Sequence, residues 1–364
     1  MKKFIFLILT LLFMLPCFAS ESNILPSEIG IVKSIEYVDM NIENATQLKQ
    51  NVEIKLLSGE FKGETVILDN VLSGNPYYDI KLKKNTKVIL HAEDNGNGIE
   101  YSIEDIKRSG TLVWLSLIFC GLLIYVGKKK GLYSLISIVL TIFMITNMLS
   151  PLILFGINPF AGTIVICILS TAVTMYLVGG FNAKSTSALT GAILSLAFAG
   201  LLSYLAIKTA SLTGFASENT LYLFSAHPEL DFVGITISIM VLATLGAVMD
   251  VAMSIASTIN EIYNVDDTKS VKELFVCGMN VGRDIIGTMA NTLILVYLGG
   301  SLPLVLLAEN IDFQKFINLN QVVTEISSAL IGSIAIVICV PFTAIVASKL
   351  IKYYYEKHKI DVSL

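Results

Sequence analysis

The chain has 364 residues, of which 54% are hydrophobic and only 15% are charged. Soluble domains carry roughly 25% charged residues, so this composition excludes a single soluble globule. The formal net charge of −4 and the lack of a basic stripe also exclude a nucleic-acid-binding protein. The composition therefore predicts a polytopic membrane protein.

The N-terminus has the pattern of a secretory signal peptide. Lys2 and Lys3 precede an apolar run over 4–15, which ends in a small-residue exit at 16–19. A run of about 12 apolar residues is short for a membrane span, which needs roughly 20. We predict cleavage after Ala19, and the alternative is a retained anchor that would add one span.

Residues 20–108 are predicted to form a small extracytoplasmic β domain. They hold 15 acidic and 10 basic side chains, and turn residues separate five runs in which apolar residues alternate. The predicted strands cover 30–38, 52–57, 64–68, 87–92 and 100–103. Five short strands suit a small barrel, for which an OB-like form is one candidate. Because the domain lacks an aromatic and basic surface pattern, we interpret it as a structural or partner-binding module.

Residues 109–364 are predicted to form a helical transmembrane domain with about seven spans. Each apolar run has a length that can cross a bilayer once tilt is allowed. The predicted spans cover 111–127, 131–150, 159–179, 185–207, 232–256, 285–308 and 323–349.

The distribution of basic residues predicts the orientation. With the β domain outside, the inside loops and the C-terminal tail hold eleven lysine and arginine residues, while the later outside loops hold only Lys208 and Lys315. The eleven are Lys128, Lys129, Lys130, Lys184, Lys269, Lys272, Arg283, Lys349, Lys352, Lys357 and Lys359. We therefore predict a multi-pass protein of the cell membrane, with the N-terminal domain outside and the C-terminus in the cytoplasm.

The sequence gives no support for an enzyme, a metal site or a cofactor. It has no phosphate-binding loop, no G-x-S-x-G, no H-E-x-x-H and no dinucleotide fingerprint. The three histidines are isolated, and residues 20–108 contain none of the five cysteines. The predicted partners are the lipid bilayer and either an envelope protein or a second copy of the chain.

Polar residues near one end of the fifth and sixth spans are the candidate functional site. Asp250 and Ser254 share a helical face in the fifth span, and Arg283 and Asp284 open the sixth span from the same side. The stripe continues into the sixth span through Thr288, Asn291 and Thr292. A carboxylate at membrane depth must face protein or water.

Two interpretations of this polar group are open. In the first, Arg283 pairs with Asp250 in a transport site. In the second, the group is a structural clasp in which Arg283 is a positive-inside anchor and Asp250 and Asp284 cap helix ends.

The sixth span is interrupted by a helix-breaking sequence. Gly299, Gly300 and Pro303 lie within an otherwise apolar run, and glycine and proline both disfavour a continuous helix. A break at membrane depth is tolerated where it is buried in protein or lines a cavity. The alternatives are a packing kink and a helix that ends early.

Three blocks in this region resemble the YibE/F-like family of bacterial multi-pass membrane proteins. The blocks are GAVMDVAMSIAS at 246–257, GRDIIGTMANTLIL at 282–295 and LPL at 302–304. The signal-like start and the small β domain before the helices are also similar to that family. The resemblance implies a membrane protein without an established activity.

Two functions from different classes remain. The first is a secondary transporter or permease for a small solute or ion, which predicts a polar cavity between the fifth and sixth spans. The second is a non-catalytic assembly factor or sensor whose outer β domain binds an envelope partner. We favour transport, with energy from an ion gradient or another subunit, because the chain has no ATPase motif.

Overall fold

The computed structural model describes residues 27–42, 45–94 and 99–363. The predicted signal peptide at 1–19 lies outside these ranges. The chain divides into two compact units with the boundary between Leu122 and Leu123. We call them the β unit and the helical unit and describe each by itself.

The β unit contains five antiparallel strands in one sheet. The strands are β1 (Glu28–Ile42), β2 (Ala45–Leu56), β3 (Thr65–Leu72), β4 (Lys87–Asp94) and β5 (Ile99–Ile106). The order in the sheet is β3-β2-β1-β4-β5, and the end strands β3 and β5 approach each other, so the unit resembles a barrel. The predicted small antiparallel domain is confirmed, and its assignment as OB-like stays a prediction.

Most of the observed strands are longer than the predicted ones because the hydrogen-bonded ladders continue through polar residues. The β1–β2 ladder runs from the Gly30–Leu56 pair to the Ile42–Ala45 pair. Alternation of apolar residues is visible only where one face is buried. That buried face supplies the core, which consists of Val32, Val52, Ile54, Leu56, Leu82, Val88 and Leu90.

A buried glutamine fixes the long β3–β4 connection to this core. Gln50 donates from Nε2 to the carbonyl of Leu82 over 3.2 Å, and its Oε1 accepts from the Leu82 backbone N–H over 3.2 Å. Asn70 donates to the same Oε1 over 2.9 Å and to the carbonyl of Ile80 over 2.7 Å. These bonds satisfy polar groups that the core excludes from water.

The remainder of the described chain is helical. The helices are α1 (Ser109–Met144), α2 (Pro159–Gly179), α3 (Ala183–Thr209), α4 (Glu218–Ala226), α5 (Phe232–Val265), α6 (Val271–Gly300), α7 (Leu302–Leu307), α8 (Phe313–Ile317) and α9 (Asn320–Ser363). A π-helical turn at Ile145–Leu149 and a short helix at Ser150–Leu154 continue α1.

Within the described ranges, six helical stretches are long and apolar enough to cross a membrane. The first, Ser109–Leu154, has 46 residues and would be ~69 Å long as a straight helix, more than twice the hydrocarbon thickness. It is interrupted at Lys128, whose φ of 49° and ψ of −130° are not helical. The two segments on either side of Lys128 correspond to the predicted spans 111–127 and 131–150. These helices are compatible with a multi-pass membrane protein.

The core of the helical unit lies between α3, α5 and α9. Helix α9 packs against α3, α5 and α6, and α5 also packs against α2 and α3. Small residues permit this close packing, because a Cβ at Gly191 of α3 would overlap Thr343 of α9. The small-residue face of α3 is buried and consists of Ser187, Gly191, Ser195 and Ala199.

Candidate functional site

Helices α5 and α6 form an antiparallel hairpin whose short loop is defined by hydrogen bonds. Ser270 and Glu273 form a capping box at the start of α6, in which the Glu273 carboxylate accepts from the Ser270 backbone N–H over 2.7 Å. At the end of α5, Asp266 accepts from the Thr268 hydroxyl over 2.6 Å and pairs with Lys269 over 3.2 Å. These contacts lower the pKa of Asp266, with the Thr268 hydroxyl making the largest contribution, and raise the pKa of Lys269.

These helix bounds correct the structural-clasp interpretation. Helix α5 continues to Val265 and α6 begins at Val271, so Asp250 and Asp284 lie inside helices rather than at their ends. The sixth helix begins 14 residues before the predicted start at 285 because the capping box places its first turn in a polar segment. Neither aspartate caps a helix end.

Two glycines on α6 set the register between the helices of the hairpin. A Cβ at Gly278 would contact Ile259 of α5, and one at Gly282 would contact Ile255. A step of four residues along α6 is thus matched by a step of four back along α5. If this register continues, Asp250 lies at the same height as Gly287, which is about one turn, or ~6 Å, along α6 from Arg283.

The seven predicted polar residues all lie on the surface of the helical unit. Asp250 and Ser254 on α5, and Arg283, Asp284, Thr288, Asn291 and Thr292 on α6, are each exposed. The Arg283 guanidinium donates to Asn280 over 2.9 Å, and no ion pair joins it to Asp250 in the described part of the chain. The predicted Asp250–Arg283 pairing is therefore not formed in this structure.

Helix geometry explains why the pair does not form. At ~100° per residue, Asp250 lies about 140° around α5 from Ile255 and about 180° from Ile259, the two residues that face α6. Asp284 lies about 160° around α6 from Gly282, which faces α5 and α9. The two polar stripes point away from the helix contact, each on the outer side of its own helix.

The helix is interrupted where the Gly-Gly-Ser-Leu-Pro sequence predicts. Helix α6 ends at Gly300, Ser301 has φ −98° and ψ 14°, and α7 begins at Leu302 with Pro303 in its first turn. Gly299 and Gly300 are exposed, and a Cβ at either position would meet nothing within 4 Å. The break thus adjoins open space on that side.

A cavity of about 230 Å³ borders this break. Ser301, Leu304 and Val305 contribute from the break and α7, and the rest of the wall comes mainly from α6 and α9. The other lining residues are Ile294, Tyr297, Leu298, Phe316, Val322, Glu325, Ile326, Ala329 and Leu330. A mostly apolar wall with a few polar groups is typical of a small-molecule site.

Two polar side chains distinguish this cavity from a packing defect. The Tyr297 hydroxyl is buried and has no hydrogen-bond partner among the described residues. Glu325 lines the same cavity and is half-buried near the start of α9. A buried hydroxyl without a partner is uncommon in folded proteins. The Tyr297 hydroxyl, a potential donor, and the Glu325 carboxylate, an acceptor, thus stand out in an otherwise mostly apolar wall.

Tyr297 and Glu325 are not among the site residues predicted from the sequence. Glu325 could have been predicted as a site residue from the sequence, since it is an acidic residue inside the predicted seventh span 323–349. Tyr297 could not have been predicted in this way, because a tyrosine in an apolar run is commonly a packing residue. In the portion of the chain that the structure describes, no cluster of histidine, cysteine and carboxylate side chains could hold a metal ion.

The fold defines a class of protein, in which a small β unit accompanies a helical unit with membrane-length apolar helices. The family model described as YibE/F-like protein matches residues 115–353, and the YibE/F family N-terminal domain matches residues 27–106. The chain belongs to the YibE/F-like family. Comparison with curated proteins and with solved structures gives no match.

Proposed function

We propose that the helical unit is a secondary transporter or permease for a small solute or ion. The supporting observation is the cavity of about 230 Å³ beside the break at Ser301, with the unpartnered Tyr297 hydroxyl and the Glu325 carboxylate in its wall. Interrupted helices are the usual place where transporters expose backbone dipoles to a solute. In the predicted orientation, the cavity lies near the outer end of α6.

Flux through the reconstituted protein tests this proposal. The full chain would be placed in liposomes and assayed with a panel of radiolabelled amino acids, organic acids, sodium, potassium and a pH-sensitive dye. We expect at least one substrate to show saturable flux, and Glu325→Gln to lower it about tenfold or more. Glu309→Gln is the matched control, because Glu309 is exposed and does not line the cavity. Equal flux in both variants would contradict a role for the cavity.

The polar stripe on α5 has its own test. Asp250→Asn removes the charge while keeping the shape of the side chain. Normal expression and folding with loss of flux would assign Asp250 to the transport path. Loss of expression would assign it a structural role.

A second candidate function is a non-catalytic assembly factor or sensor. The observation that favours it is a set of exposed apolar side chains on the β unit. Ile67 on the end strand β3 is 69% exposed, and Tyr77 and Tyr78 on the β3–β4 connection are 72% and 71% exposed. The two tyrosine rings pack edge to face at 4.9 Å. Exposed apolar patches of this kind commonly contact a partner.

Site-specific photocrosslinking distinguishes this candidate. A photoreactive residue at Tyr78 should capture one defined envelope protein in intact cells, and the same residue at the exposed Lys62 should not. Absence of a specific product at Tyr78 would remove the support for the sensor. Neither candidate function includes a catalytic step.

A further inference from the structure

Helix α6 turns a continuous polar face away from the rest of the helical unit. We define the α6 polar face as Arg283, Asp284, Gly287, Thr288, Asn291 and Thr292, all of them exposed. Only four of the 30 residues of α6 are buried, namely Leu274, Gly278, Gly282 and Leu293. Among the described residues of one copy, the helix therefore has one narrow packed side and a wide exposed side.

Lipid is an unsuitable neighbour for this face. Asp284 is ~20 Å from the start of α6 at 1.5 Å per residue. It lies next to the predicted start of the sixth span at 285, and the stripe extends into that span through Thr288, Asn291 and Thr292. Charged residues within membrane spans nearly always face protein or water, because exposure to hydrocarbon costs several kcal/mol. The face therefore needs a polar neighbour.

The hydrogen bonds within α6 do not satisfy every polar side chain of the α6 polar face. The Thr288 and Thr292 hydroxyls donate to the carbonyls of Ile285 and Thr288, over 3.1 and 2.9 Å. Arg283 donates to Asn280. Among the described residues, neither the Asp284 carboxylate nor the Asn291 carboxamide has a hydrogen bond or ion pair. These two side chains are free to bind a neighbour.

The charges on the face are self-complementary. Arg283 and Asp284 are adjacent, so they lie at nearly the same height along α6. A two-fold axis along the membrane normal places identical residues of two copies at equal height. Residues 283 and 284 of one copy then lie opposite residues 283 and 284 of the other copy. Arg283 of one copy can pair with Asp284 of the second, and the reverse pair forms by symmetry.

The shape of the face also permits close approach of a second helix. A Cβ at Gly287 would meet nothing within 4 Å, so the backbone is accessible one turn beyond Asp284. Small residues at such positions let membrane helices come close enough for interhelical hydrogen bonds. Asn291 follows one further turn along and can donate to and accept from Asn291 of the other copy.

We propose that a second copy of this chain packs against the α6 polar face to form a two-fold dimer. Arg283 and Asp284 form reciprocal ion pairs across the interface, and Gly287 and Asn291 lie on its axis side. The dimer does not depend on the transport proposal, because it follows from α6 alone and its tests measure association rather than flux.

Charge reversal in separate copies tests the reciprocal pairs. In R283D, residues 283 and 284 are both acidic, and in D284R they are both basic. Each variant alone should lose self-association about tenfold or more, because like charges face each other. Copies of R283D and D284R that carry different affinity tags should associate with each other when expressed together, at a level near that of the unmodified chain. Thermal unfolding in detergent identifies variants that fail to fold.

Disulfide trapping provides a second measurement that does not disturb the charges. In a chain whose native cysteines are replaced by alanine, Asn291→Cys should give a covalent dimer in oxidised membranes. Ile334→Cys is the control, since Ile334 is exposed on α9 outside the α6 polar face. Self-association of both charge variants at the unmodified level, trapping at Ile334 without trapping at Asn291, or a monomeric unmodified chain in membranes would each overturn the proposal. In the last case, lipid, water or a different protein covers the face.

Discussion

Gly282 of α6 lies directly against Val340 of α9, and a Cβ atom at Gly282 would overlap the Val340 side chain. One turn earlier, a Cβ at Gly278 would reach 3.3 Å from the Cβ of Ala344 and would press on Ile259 of α5. These two glycines allow α6 to pack against α5 and α9 at the same time. They therefore determine which side of α6 is buried and which side carries the polar face.

Gly282→Ala should destabilise the helical unit by about 1–3 kcal/mol, because the added methyl group must displace Val340 in a packed core. Thermal unfolding in detergent measures the effect. Gly246→Ala on α5 is the control, since a Cβ there meets nothing within 4 Å, and alanine improves helix propensity by up to about 1 kcal/mol. Equal melting temperatures for the two variants would contradict the packing described.

Tyr297→Phe should leave stability unchanged or raise it slightly. The hydroxyl is buried without a partner among the described residues, so the variant removes an unsatisfied group that costs about 1–3 kcal/mol. Tyr355→Phe is the matched control, because the Tyr355 hydroxyl donates to Asn260 over 3.3 Å and its loss should lower stability by about 1 kcal/mol. If both variants lost stability equally in a thermal melt, the Tyr297 hydroxyl would have a partner after all.

Much of the fold was predictable because burial leaves periodic patterns in the sequence. Apolar runs located the long helices, and alternation located the five strands. The predicted start of the sixth helix was too late because hydropathy does not detect a first helical turn made of polar residues. Ser270 and Glu273 nevertheless have the spacing of a capping box.

The candidate site was less predictable because it depends on contacts between distant segments. Helical spacing groups Asp284, Thr288 and Asn291 on one face, but it gives no information about what that face contacts. The answer depends on Gly282 meeting Val340, which lies 58 residues further along the chain. The cavity likewise joins Tyr297 and Glu325 from separate helices, which no local pattern encodes.

Gln50→Ala should destabilise the β unit by about 2–4 kcal/mol. Gln50 is 1% exposed, and its removal leaves the Leu82 carbonyl and N–H without their side-chain partner, each at a cost of about 1–3 kcal/mol if still buried. Lys55→Ala on the exposed side of the same strand is the control and should change stability by less than about 0.5 kcal/mol. Chemical unfolding of the full chain, followed by circular dichroism of the β unit's signal, checks both values. A similar loss in both variants would contradict the role of the glutamine.

Acidification should loosen the α5–α6 loop through Asp266. The Thr268 hydroxyl, and then the Lys269 ammonium and the Thr268 backbone N–H, hold the pKa of this carboxyl below its usual value. A group whose pKa is lower in the folded state stabilises that state above its ordinary pKa of about 3.9, and the contribution is lost as the pH falls through the folded-state pKa. The pKa of Lys269 is raised, so its contribution is lost only as the pH rises above about 10.4.

Hydrogen exchange of the loop amides, corrected for intrinsic rates, measures this effect. Protection near 266–270 should be constant around neutral pH and should fall below about pH 4. Thr268→Val removes the largest contribution to the low pKa of Asp266, so its loss of protection should be smaller and complete at a higher pH. Asp267→Asn is the neighbouring control, because the contacts to Thr268 and Lys269 described above are made by the Asp266 carboxylate. If Thr268→Val and the unmodified chain lost protection at the same pH, the Thr268 hydroxyl would not be the main stabiliser of the Asp266 carboxylate.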